Sequence, residues 1–243
     1  MKFTIVKGFF ALLVLFACST VSAQHFDVEF GYFGGVIEFE SDVAGIDAAG
    51  VFESEFEFTN MDGSQVAEDP GFASNFMEGN ENFVVTSGDS VFVNVNQSAT
   101  LGSYLTYFDP STGNFESTNE TVTIEDNSPA GTSDLIVTET GLSGSLSQFV
   151  VTSDGSEIDS HVDYILSADA QAGVYGLLLN IESDNLSGDL TDTTSEQFWV
   201  LLNNGLSEDV FEASVQNFVA VPEPSSAAVL ALICAGGLVR RRR

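Results

Sequence analysis

The strongest constraint on the fold is a strand-length alternation of apolar and polar residues that recurs along the chain and is broken by turn signals before a helical period can develop. Phe52-Glu53-Ser54-Glu55-Phe56-Glu57-Phe58 sets Phe52, Phe56 and Phe58 on one face and the three glutamates on the other. Val28, Phe30 and Tyr32 alternate with Asp27, Glu29 and Gly31, and Val91, Val93 and Val95 alternate with Phe92 and Asn94. Further strands are predicted over 121–125, 134–138, 148–152, 158–166, 173–181, 197–202 and 210–215. Phe33-Gly34-Gly35, Met61-Asp62-Gly63, Ser87-Gly88-Asp89, the run from Asp109 to Asn114, Ser128-Pro129-Ala130-Gly131 and Ser153-Asp154-Gly155 supply the turns. No segment keeps a clean 3.6-residue period over about 10 residues. The expectation is an all-β chain with a single β-sandwich, jelly-roll-like or immunoglobulin-like, over 24–220. Strand order is left open, and no internal repeat of fixed period is found.

Charge narrows the chemistry. The chain has 36 Asp+Glu against 6 Lys+Arg, for a formal net charge of −30. Lys2 and Lys7 precede the first apolar run, Arg240 to Arg243 end the chain, and no Lys or Arg lies between Gln24 and Val239. Such a surface has nothing with which to neutralise phosphates, which excludes nucleic acid as a partner. A lysine Schiff base, an arginine clamp and a P-loop lysine are equally excluded. The acidity does not imply disorder, because hydrophobic residues make up 44% of the chain and 21 of them are Phe. Cys18 and Cys234 both lie in the terminal apolar segments, so the middle carries no disulfide.

The ends read as addresses. Residues 1–23 have the form of a secretory signal peptide, with Lys2 and Lys7 ahead of an apolar stretch and Val21-Ser22-Ala23 before a predicted cut between Ala23 and Gln24. At the other end, Pro222-Glu223-Pro224 is followed by a short hydrophobic helix over 225–239 and then by Arg240, Arg241, Arg242 and Arg243. Thirteen apolar or small residues from Ala227 to Val239 would cover about 20 Å as a helix, short of a ~30 Å hydrocarbon core. That suits a transient membrane stop, with the arginines held on the cytoplasmic side and the acidic domain outside.

This three-part tail over 221–243 resembles the PEP-CTERM sorting signal of bacterial surface and exopolysaccharide-associated proteins. The resemblance implies that Pro222, Glu223 and Pro224 are recognition residues for an exosortase-type processing enzyme, with association to the inner membrane only until cleavage. A looser resemblance runs through His161-Val162-Asp163-Tyr164, Asp169 to Tyr175 and Phe198-Trp199-Val200, which are similar to a pattern in all-β ectodomains of other surface-sorted proteins. It implies the fold and no activity.

Candidate sites follow from residue types. A carboxylate pair could hydrolyse glycosides, but nothing in the pattern singles out a pair. His25 and His161 stand alone, without metal-ligand spacing. Calcium is the better cofactor candidate, because it takes six to eight oxygen ligands. Asp154, Glu157 and Asp159 form one acid-rich loop, and Asp184, Asp189 and Asp192 another, with 125–127 a third. Tyr104, Tyr107 and Trp199 are the aromatics suited to stacking a sugar. The expected function is an exported surface or matrix protein, structural or adhesive within an exopolysaccharide or biofilm matrix, with no catalytic residue of its own. A calcium-dependent carbohydrate-binding module is the alternative, and a secreted hydrolase using a carboxylate pair the third reading.

Overall fold

The structure, a computed structural model, describes residues 27–40, 50–74, 85–126, 134–144, 148–150 and 158–221. The described chain begins with β1 (Val28–Phe33), β2 (Val36–Glu40), β3 (Val51–Glu55), β4 (Phe58–Thr59), β5 (Gln65–Ala67) and β6 (Phe72–Ser74). It continues with β7 (Ser90–Asn96), β8 (Leu105–Asp109), β9 (Asn114–Glu116), β10 (Val122–Asp126), β11 (Asp134–Thr138) and β12 (Gly141–Gly144). The last elements are β13 (Gln148–Val150), β14 (Ile158–Ser160), β15 (Val162–Leu166), β16 (Gly173–Ser183), β17 (Phe198–Asn204) and α1 (Glu208–Val219).

These strands build an all-β sandwich. One sheet runs β14-β6-β1-β2, a second β12-β11-β10-β15-β5-β4, and a third β13-β7-β16-β17-β3 with β8 and β9 added beside β16. The spine is β16. Its first half pairs with β8, from Val174 opposite Phe108 to Leu177 opposite Leu105. Its second half pairs with β7, from Leu178 opposite Asn96 to Ser183 opposite Val91.

Two clusters of buried side chains account for the layers. The larger fills the space between the third sheet and the other two, with Tyr175, Leu177, Leu179 and Ile181 from β16 meeting Val28, Phe30, Ile124 and Tyr164. The smaller lies on the opposite face of the third sheet, where Val174, Leu178, Trp199 and Leu201 meet Phe211, Val215 and Phe218 of α1. Strand β16 is thus covered on both faces, which is why Leu177-Leu178-Leu179 reads as an unbroken apolar run rather than an alternation.

Val28, Phe30 and Tyr32, and likewise Val91, Val93 and Val95, turn inward as the alternation predicts. Three differences stand out. The predicted strand over 210–215 is helical, because Phe211, Ser214, Val215 and Phe218 recur at helical spacing and bury one stripe. The predicted strand over 158–166 divides at His161 into β14 and β15, which join different sheets. The run from Phe52 to Phe58 also divides. Phe52 is buried in the main core, but the chain leaves β3 after Glu55 and crosses to another sheet at β4, leaving Phe58 43% exposed.

The predicted signal peptide helix and its Ala23–Gln24 cut, the Pro-Glu-Pro motif, the short C-terminal hydrophobic helix and the arginine tail lie outside the described residues. Among the described residues no helix is long and apolar enough to cross a membrane.

Candidate functional site

Strand register creates the one place among the described residues where three metal-type side chains converge, namely Asp27, Asp69 and His161. Val28 of β1 lies opposite Phe72 of β6 in a parallel pair. Ser160 of β14 lies opposite the same Phe72 from the other side, antiparallel. Asp27 precedes Val28 and His161 follows Ser160, so the register carries both to the same end of this three-strand unit. Asp69 joins them through the loop that enters β6, where Tyr164 Oη donates to the carbonyl of Pro70 at 3.0 Å.

The geometry is specific. One ligand atom from each of the three residues lies within 4.8 Å of the others. His161 Nδ1 stands 4.0 Å from Asp27 Oδ1, and its Nε2 stands 3.2 Å from Asp159 Oδ1. The Gly71 N–H donates to Asp27 Oδ1 at 2.9 Å. Gly71 also leaves the gap open, because a Cβ there would sit 2.6 Å from Asp27 Oδ1 and 3.2 Å from His161 Nδ1. Burial pushes the Asp27 carboxyl above its ordinary range, against the pull of His161 and the Gly71 hydrogen bond, with Asp69 and Asp159 adding to the rise. A mixed oxygen and imidazole set of this kind could hold a divalent ion.

The acids singled out as calcium ligands are placed differently. Asp154 and Glu157 lie outside the described residues, and Asp159 flanks His161. Asp184, Asp189 and Asp192 each hold the 184–194 loop through a separate donor. Asp184 Oδ1 accepts from the Ser90 N–H at 2.9 Å, Asp189 Oδ2 from the Thr86 hydroxyl at 2.7 Å, and Asp192 Oδ1 from the Thr194 N–H at 3.1 Å. The Ser90 N–H bond favours the charged form of Asp184 and holds its carboxyl below its usual range. The structure does not gather the three into one group. Glu125 carries a carboxyl raised first by burial and then by Asp134 and Asp163.

The aromatics singled out for sugars are packing residues. Tyr107 is 3% exposed, donates its hydroxyl to the Ala172 carbonyl at 2.9 Å, and lies 5.0 Å from the Tyr175 ring. Trp199 is 5% exposed and meets the Phe218 ring at 5.3 Å. Tyr104 is partly buried against the main core. Tyr107 and Trp199 present no free ring face, which is the physical requirement for stacking a sugar.

Glu53 on β3 and Glu212 on α1 bring their carboxyls into direct hydrogen bond. Burial, and then the Glu212 charge and hydrogen bond, push the Glu53 carboxyl up to about 7. Carboxyls in direct hydrogen bond stand nearer than the roughly 5 Å or more that a glycosidase pair spans.

Sequence reading missed the Asp27–Asp69–His161 group because its members are far apart in the chain and share no motif spacing. Neither the splitting of 158–166 at His161 nor the β1–β6 pairing leaves a local signal. No family model matches the chain, and no curated protein matches it. Among solved structures, the N-terminal domain of PorA is similar at 8% identity and a TM-score of 0.31, over 63% of this chain and 86% of that one. An ASH/PapD-like domain of human CEP192 is similar at 11% identity and a TM-score of 0.27, over 64% of this chain and 82% of that one. At such scores neither carries an argument, and the class rests on the architecture itself, an all-β sandwich with α1 on its outer face.

Proposed function

We propose that the chain is an exported surface or matrix protein whose acidic β-sandwich acts structurally or adhesively outside the cell and has no catalytic residue of its own. The observation that carries this reading is the tail. Pro222-Glu223-Pro224, an apolar segment and Arg240 to Arg243 follow in that order, and only Ala220 and Val221 separate the motif from α1. A processing enzyme of the exosortase type would act there, with extracellular polysaccharide as the surrounding partner. Burial of Tyr107 and Trp199 supports a structural or adhesive role over recognition by sugar stacking.

The test uses an epitope in the acidic domain and fractionation of the native host. Deleting the exosortase-type gene, or replacing Glu223→Ala together with Pro224→Ala, is expected to leave a larger form in the inner-membrane fraction. Unchanged size and location in both strains would refute the sorting proposal.

A further inference from the structure

We propose that Asp27, Asp69 and His161 bind one divalent transition-metal ion of zinc-like preference, with Asp159 positioning the imidazole from its far side. Asp159 Oδ1, 3.2 Å from His161 Nε2, accepts the proton of that nitrogen in a neutral imidazole. The lone pair then lies on Nδ1, facing Asp27 Oδ1 at 4.0 Å. Two acceptors face one another at a distance too long for a hydrogen bond; Asp27 Oδ1 already accepts from the Gly71 N–H, and an ion between them would engage its second lone pair together with that of Nδ1. A carboxylate behind a ligating histidine is the usual outer-shell arrangement of such sites, fixing the tautomer and the ring plane.

The spacing suits one ion after a small closure. Ligands on a tetrahedral zinc lie about 3.3 Å apart, and the three ligand atoms here lie within 4.8 Å. The adjustment falls on His161, whose side chain is 55% exposed, against 25% for Asp27. The absence of a Cβ at Gly71 keeps the intervening volume open. Charge adds a reason particular to this chain. With no Lys or Arg between Gln24 and Val239, the carboxylates of Asp27, Asp69 and Asp159 meet no permanent side-chain cation among the described residues. The imidazole sets the preference, since oxygen-only sets suit calcium and magnesium, whereas nitrogen with oxygen suits zinc and its neighbours. The bound ion would tie the start of β1, the loop into β6 and the β14–β15 link to one point.

The experiment uses the full chain, stripped with chelator, and reads binding by calorimetry and melting temperature with Zn2+ alone or Ca2+ alone. One Zn2+ per chain is expected, with a rise of several degrees in Tm. His161→Gln and Asp69→Asn are each expected to weaken Zn2+ binding at least tenfold, and Asp159→Asn about 10- to 100-fold, all with the chelated Tm little changed. Ca2+ at the same concentration is expected to give no site-specific response. No Zn2+ response, or one that survives both His161→Gln and Asp69→Asn, overturns the proposal. So does a Zn2+ response in the native chain no larger than that to Ca2+ at the same concentration, which would show general screening of carboxylates. These outcomes are independent of whether the tail is processed.

Discussion

Asp89 is fully buried, and its carboxylate is satisfied without any cation. Tyr32 Oη donates to Oδ2 at 2.9 Å, the Ser187 N–H to Oδ1 at 2.6 Å, and the Ser187 hydroxyl to Oδ2 at 2.7 Å. Glu53 is the opposite case. Its Oε1 is buried without a hydrogen-bond partner, and its carboxyl meets that of Glu212, so the fold favours the protonated acid, with a pKa pushed up to about 7. A raised carboxyl contributes stability that is full below its unfolded pKa of about 4.3 and is lost as pH rises through about 7. Glu53→Gln supplies a permanently neutral donor to Glu212. It is expected to raise Tm above pH 7 and to converge with the native chain below about pH 5. Because the pair is only part-buried and solvent screens it, the gain is about 1 to 2 kcal/mol. Parallel melting curves from pH 5 to 8 check this, and a constant difference between the two proteins across that range would count against it.

At the scale of elements, α1 depends on a close approach to β16. Glu208 and Asp209 in its first turn suit the positive end of the helix dipole, and Phe211, Val215 and Phe218 bury its inner stripe. The Phe218 ring meets Phe115 edge-on at 5.0 Å and Trp199 at 5.3 Å. It lies over Gly176, where a Cβ would collide with the ring. Phe218→Ala is expected to cost about 3 to 5 kcal/mol, and Gly176→Ala about 1 to 3 kcal/mol. Together they are expected to cost clearly less than the sum, because the added methyl occupies the space the ring leaves. Denaturant titration of the four proteins measures the coupling, and strict additivity would refute the contact. This helix also shows what the sequence conceals. The strands at Val28 to Tyr32 and Val91 to Val95 are legible because each buries one face and alternates. The predicted strand over 210–215 stops short of Phe218, the residue that completes the helical stripe with Phe211 and Val215. The Asp27–His161 approach was illegible for a different reason. It depends on both residues flanking partners of Phe72, and pairing between distant strands has no local sequence mark.

Across the whole molecule, a chain carrying 36 carboxylates and a net charge of −30 must contain its own repulsion without internal salt bridges to lysine or arginine over 24–239. Local hydrogen bonds manage part of this, as at Asp184 with Ser90 and Asp189 with Thr86. The apolar layers on both faces of β16 supply the opposing free energy. The remainder is long-range repulsion, which salt screens. The Debye length falls from about 30 Å at 0.01 M to about 3 Å at 1 M ionic strength, so distant carboxylates stop sensing one another across that range. Tm in chelator at pH 7 is therefore expected to climb by about 5 °C or more as NaCl rises over that range, by the usual conversion of a few kcal/mol for a domain of this size. Near pH 4, where ordinary carboxylates are about half protonated, the slope is expected to shrink markedly. Chelator removes any contribution from the Asp27–Asp69–His161 group, so the response isolates the surface field. A flat salt dependence at pH 7, or equal slopes at the two pH values, would show that local hydrogen bonding already neutralises the repulsion. The one-sided charge would then impose no general cost on the fold.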